Sequence, residues 1–322
     1  MSNPIKDGLV KAYKFSYATL AKTPLRRIPG IAKFANKVFR FIWAKENILE
    51  IQGSKMFIDF KEANQGLRQT FQAYAMNRIH EATTTGIFRK ILKPGQVFLD
   101  LGANIGYFSL LASKLVGDEG KVFSFEPETK NFFYLKKNIE VNDYKNVFPF
   151  QKAVSNQNGV TKLFFCEYDS GHHTINQCEG VDVYSHGRPT VNQATEIEMV
   201  KLDDFLADKT SHVDVIKMDI EGAEALAVEG LRGILTNNRG IIFLMEFFPL
   251  FIKKMGSSPE ALFKMLKDEL GFNIWVIGHD YSMESNREDL MKINSFEELM
   301  GLIKDEEDHL NLYISHEENP KF

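Results

Sequence analysis

The sequence predicts an α/β protein built on a doubly wound, seven-stranded, mostly parallel sheet with a helical extension at its N-terminus, and three observations carry that prediction. Val97 to Ser109 (VFLDLGANIGYFS) runs an apolar strand into an acid and then a glycine-punctuated turn. Lys121 to Pro127 (KVFSFEP) repeats the pattern of a strand ending in an acid about one βα unit later. From Val97 onward, short apolar runs alternate with segments of helical spacing, as parallel strands joined by helices require.

Residues 1–45 hold ten Lys/Arg and one acid, a net +9 in a chain whose total is −4, which leaves −13 for the remainder. Pro4, Pro24 and Pro29 divide this segment into short helices. In Ile31 to Trp43, Phe34, Val38, Phe41 and Ile42 fall on one side at helical spacing, with Lys33, Lys37 and Arg40 towards the other. Such a basic amphipathic helix packs as a cap on the rest of the protein, or contacts an anionic membrane or an acidic partner. Ile48 to Phe60 alternates as a hairpin around Gly53-Ser54, and Leu67 to Leu92 reads as helical until Pro94-Gly95 stops it. The expected division is therefore an extension over 1–66 and a catalytic domain over 67–322.

In the second part, strands are expected at Val97, Lys121, Asn146, Val213 and Gly240, with helices after the first, second, fourth and fifth. TKLFF and EIEMVKL form a strand pair bracketing a polar insertion, 167–195, long enough to be a substrate lid. Ser258-Pro259 starts a helix, and Phe272 to Ile277 and Leu310 to Ser315 supply the last two strands.

The glycine turn bears on function. Gly102 and Gly106 permit a tight turn where a ligand could approach backbone N–H groups at a helix N-terminus, and Asp100 adds a carboxylate at the strand end. The order D-L-G-A-N-I-G lacks the middle glycine of a dinucleotide fingerprint, which disfavours a nicotinamide-dependent oxidoreductase. Glu126, followed by Pro127, stands where an acid binds ribose hydroxyls.

These stretches, with NVFPFQKAVSNQNGVTKLFF, VDVIKMDIEGAEALAVEGL and GIIFLMEF, resemble the FkbM-like methyltransferases, S-adenosylmethionine-dependent enzymes of the Rossmann-like class. The resemblance runs from about Leu92 to Phe248 and more loosely to Ser315. It implies S-adenosylmethionine as cofactor, held by Asp100, Gly102, Ala103, Asn104, Gly106, Tyr107, Glu126 and Pro127, with adenine beside Lys152 and Ala153. It also implies O-methylation of a hydroxyl on a sugar, a glycan or a polyketide-like metabolite. The alternative is a cofactor-binding scaffold or membrane adaptor without turnover.

A hydroxyl acceptor needs its proton removed as the oxygen attacks. Asp219 and Glu246 end apolar strands and so should face the crevice, where either could act as base or hold a divalent ion; no metal is predicted. A helix N-cap is the alternative for Asp219, and Glu221 fits a first-turn acid. His173, beside His172 in the insertion, is the third catalytic candidate, titrating near neutral pH. Cys166, His172, His173 and Cys178 match no standard zinc spacing.

Composition sets the remaining bounds. With 322 residues, 44% hydrophobic and 25% charged, the chain can bury one large core or two modest ones. It has no apolar run of about 18 residues and no glycosylation sequon, and its two cysteines cannot frame a disulfide scaffold. A cytoplasmic, membrane-peripheral protein is expected. Nucleic acid is not an expected partner, because the acidic remainder would repel a phosphate backbone.

Overall fold

The structure is a computed structural model describing residues 4–21, 23, 29–42, 47–63, 65–164, 194–278 and 290–320. Two helices come first, α1 (Pro4–Ala21) and α2 (Pro29–Ile42), followed by an antiparallel hairpin of β1 (Asn47–Ile51) and β2 (Ser54–Ile58). The hairpin turn is Gln52-Gly53, both at positive φ (53° and 78°), one residue earlier than expected. Two successive positive φ angles match the twist of the flanking strands. The stretch read as one helix from Leu67 to Leu92 is two, α3 (Gln65–Ala75) and α4 (Ala82–Ile91). The chain breaks between them, where Asn77 and Glu81 take left-handed φ of 57° and 41°. Apolar spacing continues across the break, so periodicity does not register it.

β3 (Val97–Leu101) is buried along its whole length and enters α5 (Tyr107–Val116) through the glycine loop. β4 (Lys121–Phe125), α6 (Thr129–Asn142) and β5 (Val147–Phe150) complete the first half. β6 (Ala153–Ser155), β7 (Gly159–Phe164) and β8 (Ala194–Lys201) form a separate sheet in the order β6-β8-β7. β7 and β8 are the expected pair, in antiparallel register Lys162↔Glu196. The three residues of β6 are too few to show a pattern in sequence.

The second half runs α7 (Leu202–Phe205), β9 (Val215–Met218), α8 (Glu224–Gly230), α9 (Arg232–Asn237), β10 (Ile242–Phe247), α10 (Pro249–Lys254) and α11 (Pro259–Lys264). β11 (Asn273–Ile277), β12 (Leu290–Ile293), α12 (Phe296–Met300) and β13 (Leu310–Ser315) follow. Ser258 caps α11 through its hydroxyl, which accepts from Ala261 N–H at 3.2 Å, with Pro259 in the first turn.

The main sheet has the order β12-β11-β13-β10-β9-β3-β4-β5. All seven expected strands are present; the eighth, β12, adds antiparallel to β11 at the edge. Its half-exposed sequence LMKI lacks the two-sided apolar run that marks the central strands. β5, β4, β3, β9 and β10 are mutually parallel, and β13 is antiparallel to both its neighbours. The chain winds outward from β3 in one direction and from β9 in the other. The crevice beyond the carboxyl ends of β3 and β9 is therefore the place for a ligand.

Alternation along the strands fills two cores. Phe98, Val122, Val215 and Leu244 face one way, against α3 to α6 and the hairpin. Leu99, Phe123, Ile216 and Phe243 face the other, against α8 to α12. The N-terminal helices join the first core through Tyr13, Phe39 and Ile42. Rings connect Phe39 to Phe60 (5.1 Å), Phe60 to Phe71 (5.7 Å) and Phe71 to Tyr134 (5.2 Å). The inward face of α2 is thus not the one expected: Ile42 is buried as predicted, but Phe34 and Phe41 are exposed and Phe39 takes the inward place.

Candidate active site

The loop after β3 is held mainly by protein atoms. Gly102 (φ 83°) is required because a Cβ there would lie 1.8 Å from the Asp219 carbonyl oxygen, and at Gly106 (φ 96°) a Cβ would lie 2.8 Å from Leu135 Cδ1. The sequence reading gave these glycines the task of admitting a ligand; in the structure, packing of the chain against itself already demands them. The loop amides are also engaged. Gly102 and Ala103 N–H both donate to Phe125 O at 2.9 Å, Gly106 N–H donates to Ala103 O at 2.8 Å, and Asn104 N–H donates to Glu126 Oε2 at 2.7 Å.

Asn104 adopts a left-handed φ of 49°, and its Oδ1 is buried with no hydrogen-bond partner among the described residues. Glu126 is buried at the end of β4, where its Oε1 also accepts from Glu128 N–H at 2.9 Å, and burial pushes its carboxyl up to about 8. Asp100 is closed off from solvent: Ser109 Oγ donates to Asp100 Oδ2, and burial raises the carboxyl to about 6. Tyr107 is equally enclosed, stacked on Tyr74 at 5.6 Å with its hydroxyl 3.3 Å from Thr85 Oγ. Pro127 is partly exposed, while Ala153 is buried in β6 among Leu163 and Ile197.

A second group of residues gathers at the ends of β9 and β10. Met218 pairs with Met245 across these strands, so the next residues, Asp219 and Glu246, are neighbours beyond the pairing. One carboxylate oxygen from each of Asp219, Glu221 and Glu246 falls within 4.8 Å of the others. Glu221 (φ 55°) and Gly222 (φ 99°) turn the chain sharply, and Glu224 Oε1 accepts from Ile220 and Gly222 N–H, both at 3.2 Å. Lys217 places its ammonium 3.0 Å from Asp219 Oδ2 and 4.9 Å from the Phe108 ring centroid. His309 Nε2 stands 3.4 Å from Glu246 Oε1.

These contacts sort the charges. Burial pulls the Lys217 ammonium down, but the carboxylates of Asp219, Glu81 and Asp100 outweigh it and hold it above its ordinary value. Burial pushes Asp219 up, yet Lys217 and a hydrogen bond from Glu246 bring it below the usual range. Glu246 is pushed well above that range by burial and by Asp219. The same surroundings that favour the charged form of Asp219 thus disfavour charge on Glu246. A narrow cavity lined by Glu81, Lys217, Glu246 and Asn311 has room for about one water molecule.

Such a pair can accept a proton from a hydroxyl, and with Glu221 it has the oxygen ligands that suit a hard divalent cation. Lys217 and Glu81 were not singled out in the sequence. A lysine inside an otherwise apolar, doubly buried strand was the available signal for the first. Glu81 sat in what read as continuous helix. His172, His173, Cys166 and Cys178, with most of the 167–195 insertion, lie outside the described residues.

A family model described as the methyltransferase FkbM domain matches residues 100–274, more than half of the chain. Over 64 residues, 18% of this chain, the sequence is 38% identical to the Bdellovibrio bacteriovorus protein named ribosomal RNA large subunit methyltransferase E; the match spans 33% of that relative's length. Among solved structures, methyltransferase FkbM from Methylobacillus flagellatus aligns at a TM-score of 0.38 and 13% identity, covering 77% of this chain and 53% of that one. Aeropyrum pernix fibrillarin, solved with S-adenosyl-L-methionine, aligns at 0.39 and 14% identity over 84% of this chain and 82% of that one. Both structural likenesses are distant.

Proposed function

The chain belongs to the methyltransferase FkbM domain family, and on that premise we propose that it is an S-adenosylmethionine-dependent methyltransferase whose acceptor is a hydroxyl, on a sugar, a glycan or a polyketide-like metabolite. The observation that carries this reading is the meeting of the Asp219 and Glu246 carboxylates at the carboxyl ends of β9 and β10. A hydroxyl is a poor nucleophile until its proton has somewhere to go, and a carboxylate pair at the crevice supplies that place.

The residues fit the cofactor. Asn104 offers a buried oxygen with no partner among the described residues, and Glu126 offers a carboxyl where ribose hydroxyls bind in such folds. When bound, the cofactor supplies an electrophilic methyl group on a sulfonium. Asp219, the more open of the two acids, takes the acceptor's proton, and Lys217 holds its carboxylate in place. Positioning of the acceptor oxygen supplies most of the remaining rate.

The Bdellovibrio relative is named for ribosomal RNA, but residues after 45 carry a net −13 here, which opposes a phosphate backbone. The deciding experiment is an acceptor screen that follows release of S-adenosylhomocysteine from the full chain with hydroxylated glycans, hydroxylated small metabolites, amines and RNA. Turnover confined to hydroxyl acceptors supports the reading. Turnover on amines or RNA alone overturns it.

A further inference from the structure

The N-terminal helices present aromatic rings to solvent on the side away from the core. On α2, Phe34 and Phe41 are 70% and 78% exposed, and Lys37 between them is exposed as well. Positions i, i+3 and i+7 make one stripe along a helix. Phe39 and Ile42 are buried, so α2 is already docked by another face. α1 repeats the division: Tyr13 is buried with its ring 5.9 Å from that of Phe39, while Phe15 is 77% exposed and Lys11, one turn earlier, is also exposed. Large apolar rings left in water on two adjoining helices call for a partner that covers them.

Charge identifies that partner. Residues 1–45 carry a net +9 and the rest of the chain −13. The centre of a protein–protein interface is depleted in lysine and continuous in apolar area. Here each exposed ring sits one turn from a lysine, the arrangement by which a surface helix seats aromatics at the headgroup boundary while ammonium groups remain among anionic lipids. Anionic lipid attracts the basic segment and repels the acidic body, so one orientation is favoured. We propose that α1 and α2 form a docking surface for an anionic phospholipid bilayer, with Phe15, Phe34 and Phe41 seated at its interface and Lys11 and Lys37 among the headgroups. No helix among the described residues is long and apolar enough to cross a membrane, so the contact is peripheral.

This inference is independent of the acceptor, and its test needs no turnover. The full chain is floated with vesicles of phosphatidylcholine alone and of phosphatidylcholine with phosphatidylglycerol, beside the triple variant Phe15→Ser/Phe34→Ser/Phe41→Ser and the pair Lys11→Glu/Lys37→Glu. The expected result is flotation only with phosphatidylglycerol, reversed by high salt, and at least about a tenfold lower partition for both variants. Thermal unfolding and S-adenosylmethionine affinity should stay unchanged in both, since the substituted side chains are exposed. Absence of flotation, equal flotation on neutral vesicles, or variants that float like the wild type would overturn it. So would a wild-type dimer in sedimentation that the triple variant dissolves, which would assign the rings to a second copy of the chain.

Discussion

Lys217 Nζ lies 3.0 Å from Asp219 Oδ2, yet the lysine side chain is 7% exposed and the aspartate 28%. The cation is sealed below the sheet's end while its partner reaches the crevice. Removing the ammonium would leave Glu81, Asp100 and Asp219 without their shared counter-charge. Lys217→Met should therefore cost about 3–5 kcal/mol in denaturant unfolding. A cost under about 1 kcal/mol would mean that the carboxylates are neutralised another way.

Asp219→Asn keeps the shape of the side chain and removes its capacity to take a proton. S-adenosylmethionine affinity by calorimetry should stay within a few-fold, while single-turnover methyl transfer falls about 10²–10⁴-fold. A normal rate would leave Asp219 as the ion-pair partner of Lys217 alone, since the helix that follows begins only at Glu224 with Ala223 at its N-cap.

Gly102→Val places side-chain atoms against the Asp219 carbonyl oxygen, where even a Cβ comes to 1.8 Å, and does so at a φ of 83°. The expected result is lost stability, by more than about 2 kcal/mol, together with lost cofactor binding. A variant that melts like the wild type but no longer binds cofactor would restore the simpler view that the glycine only makes room for ligand.

Asn104→Gly separates binding from folding in the opposite sense. Glycine accepts the left-handed φ of 49°, and the deleted Oδ1 has no partner among the described residues. Thermal stability should hold or rise, while S-adenosylmethionine affinity falls about tenfold, the loss expected for one hydrogen bond to a charged group. Unchanged affinity would remove Asn104 from the pocket.

Glu224 gives a pH signature. Burial raises its carboxyl from 4.5 to about 7, so between those values the folded state holds a proton that the unfolded state has released. Stability must then fall as pH rises through that window and level off above it. Glu224→Gln should flatten this slope, gaining up to about 3 kcal/mol near pH 8 and nothing near pH 4. Urea titrations across pH measure it, and an unaltered slope would show that Glu224 is ionised in the fold.

Much of this was legible in the sequence because its periods are strong. Val97 to Leu99 is an unbroken apolar run that suits a strand buried on both faces, and Ser258-Pro259 states a helix start in two residues. β12 and β6 escaped because a short edge or accessory strand carries no two-sided pattern. At the site, Asp219 and Glu246 were findable from their place after apolar strands, whereas Glu81 was not. It reaches Lys217 only because the chain breaks at 76–81, through left-handed residues that have no apolar signature. The inward face of α2 went to Phe39 because a helix with aromatics all round does not say which stripe its neighbour will take.

Asp219 is tied to the glycine loop by its backbone as well: its N–H donates to Leu101 O at 3.0 Å, and its carbonyl occupies the space that a side chain at position 102 would need. In the proposed reading, the segment bearing the base and the loop facing the methyl donor are thus joined by a hydrogen bond and a close contact. A shift of the loop on donor binding that carried the carboxylate with it would change the affinity for acceptor by some factor. Reciprocity then fixes the converse: the acceptor must alter the donor's affinity by that same factor, whichever of the two arrives first.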